Sequence, residues 1–204
     1  MPDFFEYLVY SSQRHDYGRY IRTCARPNGT QQNVRCRSLM GCMDRLESML
    51  TQIVYDTPPR VHAVLEKPAP GVHVLVDEAL MRPGTGFDGN HDRVSWWKGR
   101  PVEGREVTAM ASEVLDVLNS RAVIPGDNLI TRGLDLRALQ DGDRIRAGEV
   151  VLERTASIHK PCALFAARIS EEARRAVLAT QTRGALFVVR EGGFVRTGDP
   201  ITRL

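Results

Sequence analysis

From Arg60 onward apolar and polar residues alternate in short runs, each ended by a turn. Val61, Ala63 and Leu65 alternate with polar neighbours, and Val72 to Val76 repeats the pattern beyond Pro68-Ala69-Pro70-Gly71. A period of two closed by a Pro/Gly turn predicts a hairpin. Arg105 to Thr108 predicts a further strand, while Ser112 to Leu118 sets Val114, Leu115 and Leu118 on one helical face. After Pro125 strand signals dominate. Gly142-Asp143 opens a strand, Ala147-Gly148-Glu149 turns it, and Val150 to Arg154 returns. Ser170 is placed to cap a helix to about Thr180, with Glu171 and Glu172 at its positive end. Ala185 to Arg190, a turn at Glu191-Gly192-Gly193, and Phe194 to Arg196 complete the pattern. Many short strands with few helices predict a mainly β, α+β chain closed into a β-barrel.

Residues 1–56 lack that period. They hold the turn-prone tract RPNGTQQN, and only Phe4 to Tyr10 and the helix-like Met43 to Val54 carry ordering patterns. Thr57-Pro58-Pro59 then punctuates the chain. The expected organisation is an irregular N-terminal extension over 1–56, flexible in character, and one domain over 57–204.

Composition narrows the function classes. A chain of 204 residues with 42% hydrophobic content buries one full core. A net charge of +3 is too small to argue for nucleic acid and favours anionic small molecules only where arginines cluster. No apolar run approaches spanning length, and the first residues lack a basic segment followed by an apolar core and cleavage site. A cytoplasmic protein without membrane or nucleic-acid partners is expected. Cys24, Cys36, Cys42 and Cys162 lack the close CxxC spacing of structural zinc, and nothing marks an exported disulfide framework.

Cys162 is the strongest candidate for chemistry. It closes the run GDNLITRGLDLRALQDGDRIRAGEVVLERTASIHKPC, with His159 and Lys160 just before Pro161. Neighbouring positive charge favours a thiolate, and Pro161 restricts Lys160 to extended backbone, which predicts a thiol held at a strand end. The alternative is a small buried apolar residue. Gly84-Thr85-Gly86-Phe87-Asp88-Gly89 matches GxGxxG, but no helix pattern follows it, so it predicts a glycine-rich rim loop rather than a dinucleotide site. On residue type alone, Arg105 is a charge at a strand opening, Asn128 a turn residue, and Asp127 and Asp135 turn residues as well. His159, beside Lys160, is expected neutral and at the surface. Either Trp96 or Trp97 is expected in the core.

Taken in order, GDNLITRGLDL (126–136), GDRIRAGEVVLERT (142–155), KPC (160–162) and RGALFVVREGGFVRTGDPI (183–201) resemble the MOSC domain. That domain stands at the C-terminus of molybdenum cofactor sulfurases and alone in bacterial proteins. PGTGFDG (83–89) and REVTAMASEVLDVL (105–118) fall in the order the family shows, so the resemblance spans roughly residues 58 to 202. It implies a barrel that binds a molybdenum-pterin cofactor or carries sulfur for metal-sulfur cofactor assembly. Cys162 would be the persulfide carrier or the molybdenum ligand. Arg105, Arg132 and Lys160 would hold the anionic pterin phosphate, with Asn128 orienting it. Where family members carry Gly-Asp followed by Arg and often His, this chain has Gly89-Asn90-His91-Asp92, so His91 and Asp92 are displaced candidates. A family branch reduces N-hydroxylated compounds with molybdenum and an external electron donor, which keeps that activity as an alternative. A non-catalytic barrel for a small anionic ligand or partner is another. Full-length sulfurases use pyridoxal phosphate in a separate domain, so no pyridoxal phosphate is expected in this chain. A cysteine desulfurase or an electron-transfer protein would be the partner.

Overall fold

The computed structural model describes residues 39–91, 96–97, 100–101 and 104–204. Readings made for Phe4 to Tyr10, Cys24, Cys36 and Asp92 lie outside them. In chain order the strands are β1 (Arg60–Ala69), β2 (Val72–Val76), β3 (Glu78–Arg82), β4 (Gly86–Phe87), β5 (Trp96–Trp97), β6 (Arg100–Pro101), β7 (Val107–Ala111), β8 (Leu129–Arg132), β9 (Arg144–Ala147), β10 (Val150–Arg154), β11 (Ala185–Glu191), β12 (Gly193–Arg196) and β13 (Ile201–Arg203). The helices are α1 (Leu39–Thr51), α2 (Ser112–Val117), α3 (Ala163–Arg168) and α4 (Glu171–Ala179). The fold is mixed α+β and mostly strand.

An eight-stranded sheet runs β13-β9-β10-β11-β7-β8-β1-β2, beside a three-stranded sheet β12-β3-β4 and the pair β5-β6. Ladders in the large sheet are antiparallel except β7 with β8, where Ala109 faces Leu129 and Ala111 faces Thr131. Parallel neighbours need a crossover, and the segment containing α2 supplies it. The expected hairpins form between β1 and β2 and between β9 and β10. After the turn at Gly192, β12 leaves β11 and pairs instead with β3, matching Phe194 to Leu80.

The main sheet is not closed into the expected barrel. Its two sides meet at an isolated bridge between Arg60 and Pro200, where Val61 N–H donates to the Asp199 carbonyl at 2.8 Å and Ile201 N–H to that of Pro59 at 2.9 Å. The ladder does not extend, because β1 changes register between Val61 and Ala63 and from Val64 onward pairs with β2. That shift also corrects the sequence reading of β1. Val61 and Val64 enter one apolar cluster, while Ala63 and Leu65 face the other, since an extra residue reverses the facing of everything after it.

The first cluster lies within the curved sheet and includes Met81, Phe87, Leu129, Leu152 and Phe187, all fully buried. Helices cover the second, around Leu50, Met110, Ile130, Phe165 and Val177. Leu50 belongs to α1 and is 0% exposed, with Leu46, Ile53 and Tyr55 packed alongside. Helix α1 therefore packs on the same apolar cluster as α2, α3 and α4. Ser170 caps α4 as expected, its Oγ accepting from Ala173 N–H at 2.9 Å. No helix among the described residues is long and apolar enough to cross a membrane.

Candidate functional site: a buried cationic cluster beside an exposed thiol

Because β7 and β8 are parallel, their N-terminal ends lie together; antiparallel β1 runs toward that end, and the register sets Phe187 of β11 beside Val107 and Arg154, the last residue of β10, beside Phe187. The polar residues flanking these strands are brought together. Asn128, 2% exposed, is their hub. Its Oδ1 accepts from Lys67 Nζ at 2.9 Å and from Thr108 Oγ1 at 3.3 Å. Its Nδ2 donates to the Leu65 carbonyl at 3.2 Å, and its main-chain N–H to the Thr108 carbonyl at 3.0 Å. Asn90 Oδ1 accepts the Lys67 N–H at 2.8 Å and Asn128 Nδ2 at 3.4 Å, tying the loop after β4 to β1 and β8. Such a saturated amide is held in one orientation.

Behind Asn128 lies an ion pair. Asp127 is fully buried and accepts from Arg183 Nη1 at 2.6 Å, while the Arg183 guanidinium stacks 4.7 Å from the Phe165 ring centroid. Burial opposes ionisation of Asp127, but the Arg183 charge, with His159 and Lys67 behind it, holds the carboxyl below the ordinary range. His159 packs its Nε2 3.6 Å from the other Asp127 oxygen. Burial, reinforced by Arg183, pushes His159 down to about 3, so the ring is neutral at physiological pH. The Asp127 Oδ1, His159 Nδ1 and Arg183 Nε atoms are buried without a hydrogen-bond partner among the described residues.

Lys67 is the most perturbed amine. Burial pulls it down to about 8, and Arg105, Arg183 and Arg168 push the same way against the single carboxylate, Asp127. Arg168 ends α3 and reaches back to the turn before Asp127, where a side chain at Gly126 would collide with its guanidinium and crowd His73. Gly126 has φ +85°, a conformation open to glycine, so backbone geometry and close approach both require it. His73 Nδ1 donates to the Val123 carbonyl at 3.0 Å, leaving Nε2 as the acceptor on this side.

Cys162 is exposed and unbonded, and it stands within electrostatic reach of Arg168. It does not end a strand, as the sequence suggested. It is the extended residue (φ −91°, ψ 176°) that leads into α3. Two surface clefts flank the thiol's loop. One of about 220 Å³ is walled by Lys160 and Pro161, and one of about 380 Å³ by Arg121, Arg168 and Ile169.

The predicted residues separate accordingly. Asn128 and Arg105 lie in the cluster, Arg105 just before β7 and close enough to act on both Lys67 and His159. Arg132 does not. Four residues of strand carry it about 13 Å from Asn128, to Ser112 Oγ and Asp116 at 3.2 Å each. Lys160 is exposed on the wall of the smaller cleft. His91 is exposed, with its N–H held by the Lys67 carbonyl at 2.8 Å, and its neighbour Asn90 takes the inward position. Asp127, read as a turn residue, is the buried counter-charge, whereas Asp135 is a turn residue that accepts the Arg137 N–H at 3.0 Å. His159 is buried, not surface-exposed, because Asp127 and the apolar wall enclose it. Sequence reading missed Lys67, Arg168 and Arg183. Lys67 carries one signal, a lone cation ahead of a proline at the end of an otherwise buried strand. Among the described residues no three His, Cys, Asp or Glu side chains group as a metal site.

The arrangement is a curved mixed sheet with a cationic cluster at one end and a surface thiol beside it. The family model of the MOSC domain matches residues 101–202, half of the 204-residue chain. The chain belongs to the MOSC domain family, which is associated with the molybdenum cofactor. No curated protein matches it in sequence. The fold is similar to that of the YuaD protein from Bacillus subtilis, at 17% identity and a TM-score of 0.59, over 71% of this chain and 94% of that one. YiiM from Geobacillus stearothermophilus (18%, TM-score 0.55, covering 72% and 75%) and YiiM from Escherichia coli (18%, 0.53, 71% and 69%) have similar folds.

Proposed function

We propose that this protein binds a molybdenum-pterin cofactor, or carries sulfur for its assembly, with Cys162 as the reacting group. The observation that carries this reading is a charge imbalance around Lys67, where, among the described residues, Arg168, Arg183 and the ammonium gather about one carboxylate, Asp127, already held by Arg183. A phosphate-bearing ligand corrects that imbalance. Guanidinium groups offer it forked donors, and the Lys67 ammonium, bonded to Asn128 among the described residues, has further N–H donors to give. The donor set also fits the metal, since a soft thiolate suits molybdenum and, among the described residues, no hard oxygen cluster competes nearby.

In this arrangement Lys67, Arg105 and Arg168 hold the anionic group, Asn90 and Asn128 fix its orientation, and Cys162 offers sulfur from the rim. When bound, the cofactor supplies a redox-active metal centre. For sulfur carriage the Cys162 thiolate attacks the outer sulfur of a donor persulfide. The donor S–S bond breaks, its inner sulfur leaves as thiolate, and Cys162 becomes the persulfide. No net oxidation occurs. The test compares molybdenum and pterin content of wild type and Cys162→Ala from a cofactor-sufficient host, with mass spectrometry of Cys162 after exposure to a cysteine desulfurase. Cofactor or a persulfide in the wild type, lost in the variant, is expected. Neither signal in the wild type overturns the reading.

A further inference from the structure

The segment that carries the thiol has an open main chain. From Ile158 to Cys162 it runs without turn or bend, and exposure alternates: Ile158, Lys160 and Cys162 face out, while His159 and Pro161 are buried as anchors. Proline fixes the extended form of Lys160 before it. Among the described residues, the N–H and C=O groups of Ile158, His159 and Lys160 make no hydrogen bond. The nearby main-chain bonds are those of Thr155 N–H and the Cys162 carbonyl. Strand-like backbone with free polar groups is a template for pairing.

Its surroundings are apolar and cationic. Ile158 is 62% exposed, Leu164 61% and Leu178 45%, the first and last lining the smaller cleft. Arg137, Arg154 and Lys160 line that cleft too, and among the described residues no carboxylate does. We propose that this strip is a docking site for an extended acidic segment of a partner protein, which pairs with residues 158–160 by main-chain hydrogen bonds and sets its apolar side chains in the cleft. Binding there brings the partner beside Cys162. Its purpose, delivery to that thiol, rests on the function proposed above, while the docking itself does not.

The test uses a fluorescein-labelled octapeptide of alternating Asp and Val, a Lys/Val counterpart, and an Asp/Val form N-methylated at alternate amides. Saturable binding of the first by the whole chain is expected, with at least about tenfold weaker binding for each of the others and for Ile158→Asp and Lys160→Glu. Amide exchange at 158–160 and iodoacetamide alkylation of Cys162 are both expected to slow in the complex. Persulfide loading of Cys162 from a small-molecule persulfide is expected to survive in Ile158→Asp, so loss of docking and loss of thiol chemistry are read separately. No saturable binding, undiminished binding of the N-methylated peptide, or protection of 158–160 by self-association without peptide overturns the proposal.

Discussion

The two ends of β8 hold arginines and amides in opposite circumstances. At its C-terminal end Arg132 meets Asp116 at the surface, and the Glu113 carboxylate accepts the Gly133 N–H at 2.6 Å. Charge there is balanced locally and wetted by solvent. At the N-terminal end Asp127 is fully buried and serves Arg183, and among the described residues no other carboxylate pairs with Lys67 or Arg168. Matched exposed charges support a fold weakly, while an unmatched buried group of one sign marks a place for an absent counter-charge.

Removing the carboxylate from each end breaks this comparison most sharply. Asp127→Ala strands Arg183 in the core and is expected to cost about 3–5 kcal/mol in urea unfolding, whereas Asp116→Ala at the exposed pair is expected to cost less than about 1. Equal losses would make the two ends alike. Next comes acid. His159 is pulled well below its unfolded value, so the unfolded chain takes up a proton that the folded one refuses, and stability falls as pH drops from 6.5 toward about 3. Between pH 6.5 and 4.5 this amounts to about 2–3 kcal/mol, and His159→Gln is expected to flatten that limb of the profile. A profile unchanged by the substitution removes His159 from the buried network.

A smaller effect separates the ends by ligand. Lys67 is held down to about 8, so its positive charge is present below that pH and lost above it. Calorimetric affinity for pyrophosphate is therefore expected to fall as pH rises through 8, by about tenfold, and Lys67→Met is expected to show the weak affinity at every pH. A flat wild-type profile would place the anion elsewhere. The smallest expectation is Arg132→Ala, which should leave pyrophosphate affinity unchanged and stability lowered by less than about 1 kcal/mol.

The hairpins and the α4 cap were legible because each is set by local chemistry, whereas Arg105 and Asn128 entered only through the family resemblance. Pro68-Ala69-Pro70-Gly71 turns the chain wherever it lies, and Ser170 caps its own helix. Lys67 was not legible, since alternation assigns a charge near a strand end to solvent, and only the approach of Asn128 from another strand turns it inward. Arg183 reads as a turn residue until Asp127 meets it across 56 positions of sequence. Arg132 was misassigned for the reverse reason: closeness to Asn128 in sequence became about 13 Å along a strand. The MOSC resemblance supplied the order of segments, but it did not tell which neighbour in the Asn90-His91 loop faces inward.

The seam between Arg60 and Pro200 has a kinetic meaning. Val61 exchanges hydrogen bonds with residues 198 and 199, so the start of β1 waits for a segment far along the chain before its outer edge is covered. Contacts so distant along the chain raise contact order and slow folding. On the ribosome, the start of β1 is expected to remain open-edged until residues 198–200 emerge, which makes that edge a point in biosynthesis where a chaperone has much to protect.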